Sequence, residues 1–194
     1  MCYISSTIAG YFIEKSNQEN TSLSVLQLIK LVYISHGWNL ALNNAPLIYD
    51  KIEAWKYGPV MPSLHSLFEV HALSKNDLVE DFLIEETSCI KSIHKILLNK
   101  VYVKYKHMSG DKLTELMHQE GTPWHTIWDN KKGKNKPIDD TATKEYYSHQ
   151  IDKETFDLLP EYSSIESAEE ASVFLKKAGI LLEDGSLNPI YKNS

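Results

Sequence analysis

The longest periodic stretch of the chain runs from residue 24 to about residue 42. Val25, Leu28, Ile29, Val32, Tyr33, His36 and Leu40 fall at helical spacing on one face, and Leu31, Ser35, Trp38 and Leu42 on another. A helix that is apolar on two sides is buried on two sides, so 24–42 is expected to be the central helix. Ser24 and Gln27 form a capping box at its start, with Leu23 placed to pack on Leu28 as a hydrophobic staple. Asn43-Asn44 ends it, and Pro46 prevents continuation. Upstream, Ile4, Ile8, Tyr11 and Phe12 predict a short amphipathic helix over 3–15.

Beyond the central helix, 47–55 alternate loosely and carry Ile, Tyr and Trp, which predicts a short strand or extended arm. Gly58-Pro59 reads as a stiff turn, since proline fixes its own φ and restricts the residue before it. Pro62 suits a first helical position, and Leu64, Leu67, Phe68 and His71 follow on one face. Residues 72–88 are polar, with a short strand expected at Leu83-Ile84. Ile90, Ile93, Leu97, Val101 and Tyr105 predict a helix over 88–106, packed on the central one. Ser109 is expected to cap a helix with Leu113, Leu116 and Met117 inward, and Gly121 to end it. Thr122 then caps another helix with Pro123 at its first position and an aromatic face of Trp124, Ile127 and Trp128. Asp139 opens a helix through Tyr146-Tyr147. After a connector, Ser167 and Glu170 form a second capping box, and Asp184-Gly185 suggests a hairpin. The fold expected is mainly α-helical, α+β: a compact helical domain over 1–150, with a small strand element near 47–56, and a C-terminal extension over 151–194.

Composition narrows the function classes. The chain has 194 residues, a net charge of −6 and 20 basic residues, all of them lysine. Base readout and phosphate clamping favour the planar fork of arginine, so no nucleic-acid partner is expected. No apolar run reaches the about 18 residues of a spanning helix, and no membrane role is expected. The start, Met1-Cys2-Tyr3-Ile4-Ser5, lacks the basic segment of a signal peptide. Cys2 and Cys89 have no paired spacing, which suits a reducing, cytoplasmic setting.

Candidate chemistry is thin. His118, Glu120 and His125 are the best metal-ligand cluster, but Gly121-Thr122-Pro123 interrupts any shared helical face. A packing or hydrogen-bonding role is favoured for them, and His36 and His65, on apolar faces, read as satisfied core or boundary residues. Cys89 has no nearby histidine in sequence, and no phosphate loop, dinucleotide fingerprint or nucleophile elbow is present. Glu53 beside Trp55 could act as a general acid, yet pairing with Lys56 or Lys30 is the favoured reading. No catalytic residue, metal or cofactor is expected. The aromatic set is more informative, because clustered aromatics anchor protein interfaces. Trp55, Lys56, Tyr57, Pro59, Trp124 and Trp128 are the candidate partner-binding residues. Burial in the core is the favoured reading for Trp55 and Trp124, and Tyr57, beside the Gly-Pro corner, is the better candidate for a partner surface. The lysine loop 131–136 reads as solvated.

Three blocks carry a resemblance. They are Leu26 to Tyr33 with Gly37-Trp38; Ile52-Glu53-Ala54-Trp55-Lys56-Tyr57-Gly58-Pro59-Val60; and Leu113 to His118 followed by Pro123-Trp124. Together they resemble the Panacea domain, the SocA-like, phage-associated (GepA-type) family of bacterial antitoxin proteins, over roughly residues 5–150. Met117 stands where that family's pattern has threonine. The resemblance implies a non-enzymatic antitoxin that neutralises a cognate protein toxin encoded nearby by direct binding. An adaptor delivering a partner to an ATP-dependent protease is the alternative it implies. A metal-dependent hydrolase on the histidine cluster and a DNA-binding autorepressor are weaker readings.

Overall fold

The computed structural model describes residues 2–79, 87–128, 133–151, 182 and 184–186. The chain divides into two compact units, 1–148 and 149–194, and the first holds nearly all the described residues. It is mainly helical, with seven described α-helices and two small two-stranded sheets.

The central element is α2, Val25–Asn43, and fifteen of its residues from Val25 to Leu40 are buried. Its start is the expected capping box: Ser24 Oγ accepts from Gln27 N at 3.3 Å, and Gln27 Oε1 accepts from Ser24 N at 2.9 Å. Asn44 closes it in the left-handed region at φ 50°, where asparagine is tolerated. Around α2 pack α1 (Ser5–Gln18), α3 (Pro62–Val70), α4 (Ser92–Tyr105) and α5 (Gly110–Met117). The predicted inward residues are largely buried: Ile8, Tyr11 and Phe12 in α1, Leu64 and Phe68 in α3, Leu97, Val101 and Tyr105 in α4. His71 departs from its expected face and stands exposed as the C-cap of α3. Asp50 ties the first unit's start to its middle, accepting from Ser5 N at 2.7 Å and from the Ser63 hydroxyl.

Ser109 caps α5 by accepting from Lys112 N at 3.2 Å, and Thr122 accepts from His125 N at 3.2 Å where α6 (Pro123–Trp128) begins. Gly121, at φ 82°, makes the break between them. The last described helix is α7, Asp140–Ile151. It lays Tyr147 edge-on against Trp38 and Tyr33 of α2, with centroids 5.2 and 6.3 Å away.

The small strand element expected near 47–56 is present, at its C-terminal end. Residues 47–52 form no strand, apart from a parallel bridge between Ile48 and Tyr3, and bend at Leu47 and Asp50. The regular pairing is an antiparallel hairpin of β2 (Glu53–Trp55) and β3 (Gly58–Val60). A second two-stranded pair joins β1 (Leu23–Ser24) to β4 (Leu78–Val79). Leu23, expected only as a staple, is thus a strand residue opposite Val79. The strand expected at Leu83-Ile84 and the capping box at Ser167 and Glu170 lie outside the described residues. At Asp184-Gly185 a tight turn forms, with Gly185 N donating to Leu182 O at 2.9 Å. The strands expected to flank it lie outside the described residues.

Candidate functional site

The turn at the heart of the sequence pattern sits one dipeptide earlier than expected. Trp55 pairs with Gly58, so Lys56-Tyr57 are the two loop residues, and Gly58-Pro59 belong to a strand. Gly58 has φ +97°, which an L side chain rarely adopts. A Cβ there would also lie 2.9 Å from the Lys30 ammonium nitrogen. Pro59 needs no N–H at its edge position, as expected for proline in a strand.

The hairpin is held from every side. Beneath it, Lys30 Nζ donates to Pro59 O at 2.9 Å. Thr114 of α5 shares its hydroxyl between Gly110 O (2.9 Å) and Tyr57 O (3.3 Å). Trp124 of α6 donates Nε1–H to Trp55 O at 2.8 Å. On the outer edge of β2, Ala54 exchanges backbone bonds with Asn135 and Lys136, and Ile138 N donates to Ile52 O. Of the loop 131–136 expected as solvated, Lys134, Asn135 and Lys136 are exposed, and the backbone of 135–138 adds an extra edge to the hairpin. Residues 129–132, with the rest of the lysine run, lie outside the described residues.

Lys30 is fully buried, on the middle of α2. Burial lowers its pKa to about 7, because an ammonium without water around it is disfavoured. His118 lies nearby, and its pKa is lowered by burial first, then by Lys30 and His125. Beneath the hairpin a fully buried Lys30 and a half-buried His118 are thus two bases pushed towards neutrality. The His118 ring stacks on Trp124 at 3.7 Å, and Trp124 stacks on Trp128 at 5.1 Å. Among the described residues, His118 Nε2 is a buried nitrogen with no hydrogen-bond partner.

These contacts sort the sequence candidates. Lys56 and Tyr57 are exposed at the tip, Tyr57 at 39%. Trp55 and Trp128 are half-buried, whereas Pro59 and Trp124 are buried. Trp55 donates Nε1–H to Glu53 Oε2 at 2.9 Å and packs edge-on against His65 at 4.8 Å. The expected pairing of Glu53 with Lys56 or Lys30 is therefore corrected: Glu53 is taken by the Trp55 indole, and Lys30 by the Pro59 carbonyl. His36 is satisfied as expected, with Nε2 2.9 Å from Asp140 Oδ1 and Nδ1 accepting from Ile48 N. Glu120 and His125 are exposed while His118 is stacked inward. No group of three metal-ligating side chains converges among the described residues.

Beside the hairpin opens a cavity of about 330 Å³ that sequence reasoning missed. Val25, Ile29, Val60, Phe68 and Leu73 give it an apolar floor, and Trp55 and Tyr57 wall it. Lys56, Lys75 and Lys134 stand around it. Lys75 Nζ lies over the Tyr57 ring, 4.1 Å from its centroid. Lys75 and Lys134 come from distant loops, and spacing carries no signal of that convergence. Lys30 did leave a trace, as a lone cation between Ile29 and Leu31 in a helix apolar on both sides.

Comparison with known proteins gives a consistent result. Residues 28–125 match the family model described as antitoxin SocA-like, Panacea domain. Antitoxin SocA of Caulobacter vibrioides (strain NA1000 / CB15N) is 29% identical over 128 residues, covering 62% of this chain and 68% of that protein. No solved structure matches the chain significantly.

Proposed function

Because the chain belongs to the SocA-like antitoxin family with a Panacea domain, we propose that it neutralises a cognate protein toxin, encoded nearby, by binding it directly. The observation that carries this reading is where the family match falls. Residues 28–125 contain the whole hairpin, Lys30 beneath it, and the α5 and α6 contacts that hold it. Such bracing costs a partner little ordering entropy, which favours tight association.

In this reading the Lys56-Tyr57 tip and the half-buried Trp55 and Trp128 are the contact residues. Pro59 and Trp124 act from beneath, by fixing where those residues stand. An interface that silences a toxin buries about 1,600 Å² or more, so flanking helix surfaces contribute as well. The protein needs no catalytic group for this. The test is co-expression with the neighbouring open reading frame. That gene alone should arrest growth, and this chain should restore it. A neighbour that is harmless by itself would remove the reading's support.

A further inference from the structure

The cavity beside the hairpin differs in charge from the protein around it. The chain carries −6 overall, yet Lys56, Lys75 and Lys134 surround this opening. The carboxylate lining it is Glu69, which sits 3.4 Å from His65 Nδ1. Asp111 lies 3.8 Å from Lys75 Nζ, and Glu53 is engaged by the Trp55 indole at 2.9 Å. Among the described residues, three lysines and one carboxylate line the opening, over a floor of aliphatic and aromatic side chains. An apolar floor under a cationic rim complements a segment with an apolar anchor flanked by carboxylates. The size fits as well, since about 330 Å³ is at the small end of sites that enclose a compact ligand.

We propose that this groove seats an apolar side chain of the bound toxin, presented on a short segment with acidic residues on both sides of it. This deepens the antitoxin reading and rests on it. The lysines steer the segment and fix its register, and the apolar floor provides the retention. Tyr57 serves both parts: its ring walls the groove and holds the Lys75 ammonium at the rim.

Two measurements test this. In the first, the full chain is titrated with a synthetic acidic hexapeptide, Asp-Glu-Trp-Leu-Glu-Asp, and with the same Trp-Leu core flanked by lysines, both blocked at their ends. Amide chemical shifts report the site. The acidic peptide should bind at least tenfold more tightly than the basic one, weaken as salt is added, and shift the amides of residues 55–57 and 73–75. Equal affinities, or shifts elsewhere, would overturn the groove assignment. In the second, the neighbour-encoded protein replaces the peptide. The double variant Lys56→Glu/Lys75→Glu should slow its association at low salt by tenfold or more, and Glu69→Lys should speed it. All three positions are at the surface or half-buried, and melting temperatures of the variants establish that each is folded. A stable complex indifferent to these changes would sink the groove proposal and leave the antitoxin reading standing. If the neighbour forms no complex at all, both fall.

Discussion

A fully buried lysine makes a quantitative demand on stability. Lys30 has its ammonium against one carbonyl oxygen, Pro59 O, and its pKa falls from 10.5 to about 7. The unfolded chain keeps its proton up to the ordinary value, so the native state binds fewer protons between those limits. Native stability therefore rises with pH across that window, and the penalty is fully present below about pH 7. At about 1.36 kcal/mol per unit, the full span amounts to roughly 5 kcal/mol, and the part from pH 7 to 9 to roughly 2 kcal/mol. At higher pH stability falls again, because Tyr33, Tyr105 and Tyr147, pushed upward by burial, keep their protons in the fold while the same phenols ionise in the unfolded chain. Lys15 and Lys104 are lowered by burial too, so the wild-type slope is a sum. Comparison with Lys30→Met isolates one contribution. Urea unfolding followed by tryptophan fluorescence at pH 7, 8 and 9 gives both curves. The variant loses the bond to Pro59 O, which offsets its stability at every pH. Its gain between pH 7 and 9 should be smaller than the wild type's by roughly 2 kcal/mol. Parallel curves would show that Lys30 keeps an ordinary pKa, and the reasoning about the hairpin's underside would fail.

Gly58→Ala should destabilise by about 1–3 kcal/mol, through the positive φ and the approach to Lys30 Nζ. A loss under about 0.5 kcal/mol in chemical denaturation would contradict that strain. Ser24→Ala removes one half of the capping box and should lower stability by about 1 kcal/mol, with Ser24→Asp restoring most of it. Tyr57→Ala should leave the melting temperature nearly unchanged while weakening capture of the neighbour-encoded protein at least tenfold, by about 1.4 kcal/mol. Were the protein an adaptor for proteolysis, the partner's half-life would shorten in its presence; the antitoxin account predicts a stable complex and an unshortened half-life.

Helix positions were readable in the chain because local chemistry specifies them. Ser24 with Gln27, Ser109, and Thr122 with Pro123 each mark a start through a bond made within three residues. The two apolar faces of α2 likewise announced a central helix. The strands were harder, since β1 and the outer edge of β2 depend on partners far along the chain. Leu23 finds Val79, and Ala54 finds Lys136, and neither pairing leaves a periodic trace in segments of two or three residues. The hairpin tip was misplaced by two residues because Gly58-Pro59 resembles a turn in isolation. Gly58 does supply the positive φ, but as the first residue of β3, while Lys56-Tyr57 make the reversal. The candidate surface was legible in its residue types and in part of its layering. Trp124 donates from the interior to Trp55 O and Tyr57 stands at the tip, as their residue types suggested, whereas Trp55, equally large and apolar, is only half-buried.

A binding isotherm between this chain and the purified product of the adjacent gene tests neutralisation by docking most directly. Calorimetric titration should show saturable association with a Kd of about 10 nM or tighter, near −11 kcal/mol, and the complex should have lost the neighbour's toxicity. Absence of any association, with growth nonetheless restored on co-expression, would contradict neutralisation by direct docking.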